Sequence, residues 1–116
     1  MTHMRKAHSR RAIRMEEMIM HELGRILVEN IQDPRLELVT ISGLRLNTDL
    51  TVAEVLYTHS RTASEQDQVQ QGLDAARGYM RSMLGKRIKL RHVPELRFIW
   101  DSFLEETIHG PPVNDT

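Results

Sequence analysis

Residues 39–59 read VTISGLRLNTDLTVAEVLYTH. Two runs rich in β-branched and apolar residues, 39–46 and 51–59, flank Asn47-Thr48-Asp49, whose side chains favour turns. The pattern predicts an antiparallel hairpin. In the second run Ala53, Val55 and Tyr57 fall on one face, with Glu54 and Thr58 on the other. That is the period-2 alternation of a half-buried strand. Gly43 inside the first run points to a bulge or to the close approach of another backbone.

Upstream of the hairpin, Ile13, Met15, Ile19, Leu23, Ile26 and Leu27 recur at three- and four-residue spacing. This predicts an amphipathic helix over 9–31. Asp33-Pro34 stops it, because proline pushes the preceding residue out of the α region. Downstream, Ser64 to Asp67 resembles a helix start with a serine cap and an acid three residues on. Val69, Leu73, Ala76, Met80, Met83 and Leu84 then hold a helical face as far as Gly85, which reads as a terminator. Gly78 interrupts this face, so a kink between two helices is expected at Ala76-Arg77-Gly78. After Pro94, the alternation of Leu96, Phe98 and Trp100 with Arg97, Ile99 and Asp101 predicts a third strand. The order α-β-β-α-kink-α-β describes an α+β domain, a three-stranded sheet with helices on one face. Residues 1–8 read as a flexible basic arm, 9–103 as the single domain, and 104–116 as a short acidic, disordered tail.

A chain of 116 residues suits one core rather than two. With only five aromatics that core is built mainly from Leu, Ile, Val and Met. The absence of cysteine excludes disulfides, thiolate metal sites and a cysteine nucleophile, and fits a reducing compartment. No apolar run approaches the ~20 residues that span a bilayer. The basic N-terminus has no apolar stretch behind it, so it does not read as a secretory signal. The histidines form no HExxH or i, i+4 pair. The adjacent pairs Glu16-Glu17 and Glu105-Glu106 point about 100° apart on a helix and cannot share a proton across a substrate. There is no phosphate-binding glycine loop and no G-x-S-x-G elbow. No enzyme, metal site or cofactor is expected.

The net charge is zero, but the charge is segregated. Residues 1–15 carry +5, 16–76 carry −7, 77–97 carry +6, and 98–116 carry −4. A partner meets these local fields rather than their total, because charges beyond a Debye length of about 8–10 Å are screened. Two basic blocks on a neutral chain are a polyanion-binding signal. Arg77 and Arg81 lie four apart on one helix face, and Lys86, Arg87, Lys89 and Arg91 follow. A helix C-terminus favours one or two cations through its dipole; six indicate a phosphate-binding surface. Arg5, Lys6, Arg10, Arg11 and Arg14 form a second candidate clamp, or a solubilising arm. Tyr79 is the only aromatic among the cations of residues 77–97. Base-stacking of single strands is therefore poorly supported, and backbone reading of a folded RNA fits better.

The chain resembles the ribosome-binding factor A family of small-subunit maturation factors. Four stretches carry the resemblance: Asp33-Pro34-Arg35-Leu36 after a long first helix; Val39-Thr40-Ile41-Ser42-Gly43 leading to Thr48-Asp49-Leu50; Arg81-Ser82-Met83-Leu84-Gly85-Lys86; and Leu90-Arg91-His92-Val93-Pro94-Glu95-Leu96-Arg97-Phe98. It covers about residues 5–103. The resemblance implies a KH-like fold of type II order, with the usual Gly-x-x-Gly loop replaced by an Ala-x-Gly kink, here Ala76-Arg77-Gly78. It also implies binding to the free 30S subunit and a non-catalytic role in late maturation and processing of 16S rRNA near its 5′ end helix. Such factors act often in cold adaptation, alongside maturation GTPases. A cytoplasmic monomer without membrane attachment is expected. The RNA-binding residues would be Arg5, Lys6, Arg10, Arg11, Arg77, Arg81, Lys86, Arg87, Lys89 and Arg91. The competing expectation is a protein–protein adaptor that docks on a ribosomal or assembly protein through helix 1.

Overall fold

The computed structural model describes residue 7 and residues 9–102. Helix α1 spans Arg10–Asn30 and is capped by Ser9, whose Oγ accepts the Ala12 N–H at 3.0 Å. One stripe of α1 is buried, namely Ala12, Glu16, Ile19, Leu23, Ile26 and Leu27. Ile31 turns extended, and Asp33 caps a single 3-10 turn over Pro34–Leu36. Strands β1 (Val39–Leu46) and β2 (Val52–His59) form the expected antiparallel hairpin. Asn47 closes it by accepting the N–H groups of Thr51 and Val52 at 2.8 and 3.0 Å. Leu50 takes the turn at a φ of +61°, a conformation that costs a residue with a Cβ about 1 kcal/mol or more. Its side chain packs against the core in compensation.

The ladder shifts between Ile41 and Gly43, so Ser42 is the extra residue of a bulge. Gly43 pairs with Leu56, and a Cβ there would lie 3.4 Å from Leu56 Cδ1. The bulge occurs, whereas the group that approaches Gly43 is a side chain and not another backbone. Beyond β2, a short 3-10 turn (Ala63–Glu65) leads into α2 (Gln66–Arg87), which crosses to β3 (Glu95–Trp100). The sheet order is β1-β2-β3, with β3 parallel to β2. Ala53, Val55, Tyr57, Leu96 and Phe98 are buried with the apolar stripes of α1 and α2 in one core. Alternate residues such as Glu54 and Arg97 lie on the opposite face of the sheet, so both helices cover one face. The fold class read from the sequence stands.

Several local readings are corrected. Helix α2 runs unbroken through Ala76-Arg77-Gly78, so there are not two helices here. Val69 and Leu73 before Gly78, and Met80 and Leu84 after it, are fully buried on one face. Their burial outweighs the ~1 kcal/mol that an interior glycine costs a helix. Gly85 does not end α2 either; the helix continues to Arg87, and Ile88 turns extended while its side chain returns to the core. At the start, Ser64 is not the cap. Glu65 accepts the backbone N–H and the hydroxyl of Thr62, at 3.2 and 3.0 Å. Those bonds hold its carboxyl below the usual range. Within the segment read as a flexible arm, Ala7 is buried and its N–H donates to the Leu46 carbonyl at 2.9 Å. The rest of that arm, the last domain residue 103 and the tail 104–116 lie outside the described residues. Buried Glu16 accepts the Leu46 N–H at 2.8 Å, so both polar groups of Leu46 on the outer edge of β1 are satisfied.

The two glycines of α2 with opposite surroundings give a test. Gly72 is buried, and a Cβ there would sit 3.0 Å from Leu36 Cδ2 and 3.3 Å from Arg35 Nε. At Gly78 a Cβ would meet nothing within 4 Å. In chemical denaturation, Gly72→Ala is expected to lose ~1–3 kcal/mol through overpacking. Gly78→Ala is expected to gain about 0.5–1 kcal/mol of helix propensity. Destabilisation by Gly78→Ala would show that the backbone at this point needs glycine.

Candidate nucleic-acid interface

The last three turns of α2 and the connection to β3 carry the basic block of residues 77–97. Its cations do not play one part. Arg87 reaches away from the others to α1, within 3.6 Å of a Glu22 carboxylate oxygen and 3.4 Å of one from Glu29, and donates to Asn30. It is an inter-helix link, which sets it apart from the exposed cations of the block. Arg77 pairs with Asp74 one turn back on the same helix. Arg81 donates through its guanidinium to the carbonyls of Val93 (2.8 Å) and Pro94 (3.2 Å). Carbonyls are neutral, so Arg81 keeps its full charge while its position is fixed. Lys86, Lys89 and Arg91 are exposed, and none of them pairs with a described residue.

Arg81 and Arg91 face a common cleft of about 460 Å³. Gly78, Arg81, Ser82 and Gly85 line it from α2, and Arg91, His92 and Val93 from the connection. No lining residue is acidic, so an anion entering it meets only positive or neutral groups. Gly78 and Ser82 are four apart and leave the helix surface low between the cations. That spacing was legible in the sequence. The parts of Ser82 and His92 were not, because which loop residue faces a helix depends on the route of residues 88–94. Ala76, the other residue of the expected kink, is partly buried against the core and takes no part in the cleft.

Arg10, Arg11 and Arg14 are exposed at the start of α1, where they line a second cleft with Met15 and Met18. Arg5 and Lys6 lie outside the described residues. A third surface is of different character. Between α1 and the outer edge of β1 lies a groove of about 650 Å³, with Met20, Leu27, Val28, Val39 and Ile41 as its apolar part. Glu17, His21, Arg25 and Glu29 flank it. Its mixed charge suits no polyanion.

A chain of hydrogen bonds connects the buried sheet to the basic face. His59 Nδ1 accepts the Arg61 N–H, so its Nε2 donates to Gln66 Oε1 at 2.7 Å. Gln66 donates to the Tyr57 hydroxyl, Tyr57 to Gln70, and Gln70 to the Asp74 carboxylate that holds Arg77. Burial pushes the Tyr57 hydroxyl up from its ordinary pKa. Among the described residues no cluster of three histidines or carboxylates could hold a metal ion. No helix among them is long and apolar enough to cross a membrane.

Comparison with known proteins adds four findings. The family model described as ribosome-binding factor A matches residues 11–110. A ribosome-binding factor A from Latilactobacillus sakei is 44% identical over 89 residues, covering 76% of this chain and 75% of that protein. The crystal structure of ribosome-binding factor A from Thermus thermophilus superposes with a TM-score of 0.68 at 25% identity, over 76% of this chain and 93% of that one. A homology model of the Thermus factor, as fitted into a cryo-EM map of a 30S–RbfA complex, superposes with a TM-score of 0.57 at 28% identity. It covers 72% of this chain and 93% of that chain.

The sorting of cations predicts a split in stability. Arg87→Ala removes the α1–α2 link and is expected to cost ~1 kcal/mol in urea denaturation. Lys86→Ala, one residue away, should stay within about 0.5 kcal/mol of wild type. Equal effects of the two would place Arg87 on the open surface after all.

Proposed function

The chain belongs to the ribosome-binding factor A family, and we propose from that premise that it binds the free 30S subunit through the cleft at the end of α2. In this reading it assists late maturation and processing of 16S rRNA near the 5′ end helix as a non-catalytic, cytoplasmic monomer, in functional contact with maturation GTPases. The observation that carries the reading is the acid-free cleft lined by a fixed Arg81 and an unpaired Arg91, with Lys86 and Lys89 exposed and unpaired on the same stretch of chain. Cations already held by protein carbonyls lose little conformational freedom when a phosphate arrives. Exposed and unpaired ones release no internal partner. The arm of residues 1–8, with Arg5 and Lys6, adds a second cationic contact beside Arg10 and Arg11.

A second reading rests on the apolar groove between α1 and β1, where Val28 is 85% exposed. There the protein would be an adaptor docked on a ribosomal or assembly protein. The two readings part on salt. Phosphate binding weakens steeply as salt rises, while burial of apolar surface does not.

The test is co-sedimentation with purified 30S subunits across a salt series. Lys86→Glu with Arg91→Glu is expected to weaken binding by at least tenfold. The slope of log affinity against log salt should flatten by about 0.7–0.9 for each phosphate that is no longer neutralised. Both residues are exposed, so melting should stay near wild type. Binding and slope unchanged in this variant, with weaker binding on Val28→Asp, would transfer the site to the α1–β1 groove.

A further inference from the structure

The basic face of α2 has one feature that phosphate attraction does not use. Tyr79 is 47% exposed. Of the other aromatics, Tyr57 and Phe98 are buried, Trp100 is partly buried, and Phe103 lies outside the described residues. A tyrosine without a place in the core, on a helix whose other large apolar side chains face inward, presents a flat ring to solvent.

Its position decides what that ring can meet. Tyr79 follows Gly78 and precedes Ser82 by one turn, and both of those residues line the cationic cleft. Lys86 lies seven residues on, on the same flank of the helix and two turns away. A Cβ at Gly78 would meet nothing within 4 Å, so no side chain fills the surface between the ring and the cleft at that point. Arg81 and Arg91 therefore stand on one side of this low surface, and Tyr79 with Lys86 on the other. A nucleotide has the same division, with an anionic phosphate at one end and a flat π-face at the other.

We propose that Tyr79 is the stacking platform for one unpaired base of the small-subunit RNA, whose own or neighbouring phosphate lies in the Arg81–Arg91 cleft. The inference rests on the function proposed above and specifies the ligand of that site. A single platform stacks a single base, so the chain reads a bulged or end nucleotide rather than a run of single strand. Every base has a π-face, so the contact carries little base preference. It makes Tyr79 a determinant of RNA shape, since a fully paired duplex offers no free face to it.

The experiment uses the full chain, 30S subunits and protein-free 16S rRNA, with binding measured across a salt series. Tyr79→Ala should weaken binding about tenfold at every salt concentration on both targets, because stacking releases no counterions. The slope against log salt should keep its wild-type value. Tyr79→Phe keeps the ring and should bind within about twofold of wild type. Melting of both variants checks that the fold is intact. Wild-type affinity of Tyr79→Ala would overturn the stacking role and leave the cleft reading standing, provided that Lys86→Glu with Arg91→Glu still binds weakly. A flattened slope in Tyr79→Ala would show that the ring merely positions cations, and would also overturn the proposal. Weaker binding to subunits but not to protein-free RNA would make Tyr79 a protein contact. Wild-type binding by both Tyr79→Ala and the charge-reversal variant would defeat the cleft reading itself.

Discussion

Strands β2 and β3 are parallel neighbours, and parallel strands cannot be joined by a tight turn. The chain must travel the length of the sheet between them, and α2 makes that crossing. The requirement gives α2 two opposed duties. Val69, Leu73, Met80 and Leu84 form the lid of the sheet and are fully buried. The opposite side of the same helix meets the connection to β3, where Gly85 and Arg81 lie against Val93, and its exposed positions carry charge. The basic surface is thus the back of the helix that closes the core.

The remaining elements lock onto that crossing. The turn after α1 docks against α2 where Gly72 leaves room for Leu36 and Arg35, and Asp33 holds Arg35 by a close ion pair. The Arg35 guanidinium lowers the Asp33 carboxyl below its ordinary range. The far end of α2 is tied to α1 by Arg87 with Glu22, Glu29 and Asn30. Arg81 then binds the carbonyls just ahead of β3. Cations of one sequence block thereby divide between building the fold and facing outward. Which duty each takes depends on whether an acceptor of another element, a carboxylate for Arg87 and carbonyls for Arg81, comes within reach.

Much of the fold was legible because it rests on short-range periodicity. The first strand has the bounds that its run of β-branched and apolar residues predicts, and Leu96 and Phe98 face the core as expected. The kink at Ala76-Arg77-Gly78 was not legible correctly, since a glycine's local cost is set against packing several residues away on either side. The continuation of α2 past Gly85 has the same origin. The site was legible as a density of positive charge and no further. Arg87 and Lys86 are neighbours of like charge, and only the path of α1 separates a structural cation from an exposed one. Glu16 reads as part of a helix's polar side, yet it is buried because the edge of β1 presents an N–H there. Tyr79 was visible as an isolated aromatic among cations. Its exposure became visible only once Met80 and Leu84 had turned the helix.

The central claim is that the exposed flank of α2, with the cleft beside it, meets the small subunit, while the groove between α1 and β1 stays open. Hydroxyl-radical footprinting of the full chain, free and bound to 30S subunits, reads this directly at side chains. The account predicts that Tyr79 and His92 lose reactivity on binding, while Met20 and Val28 keep theirs. Protection of Met20 and Val28, with Tyr79 and His92 as reactive as in the free protein, would contradict it.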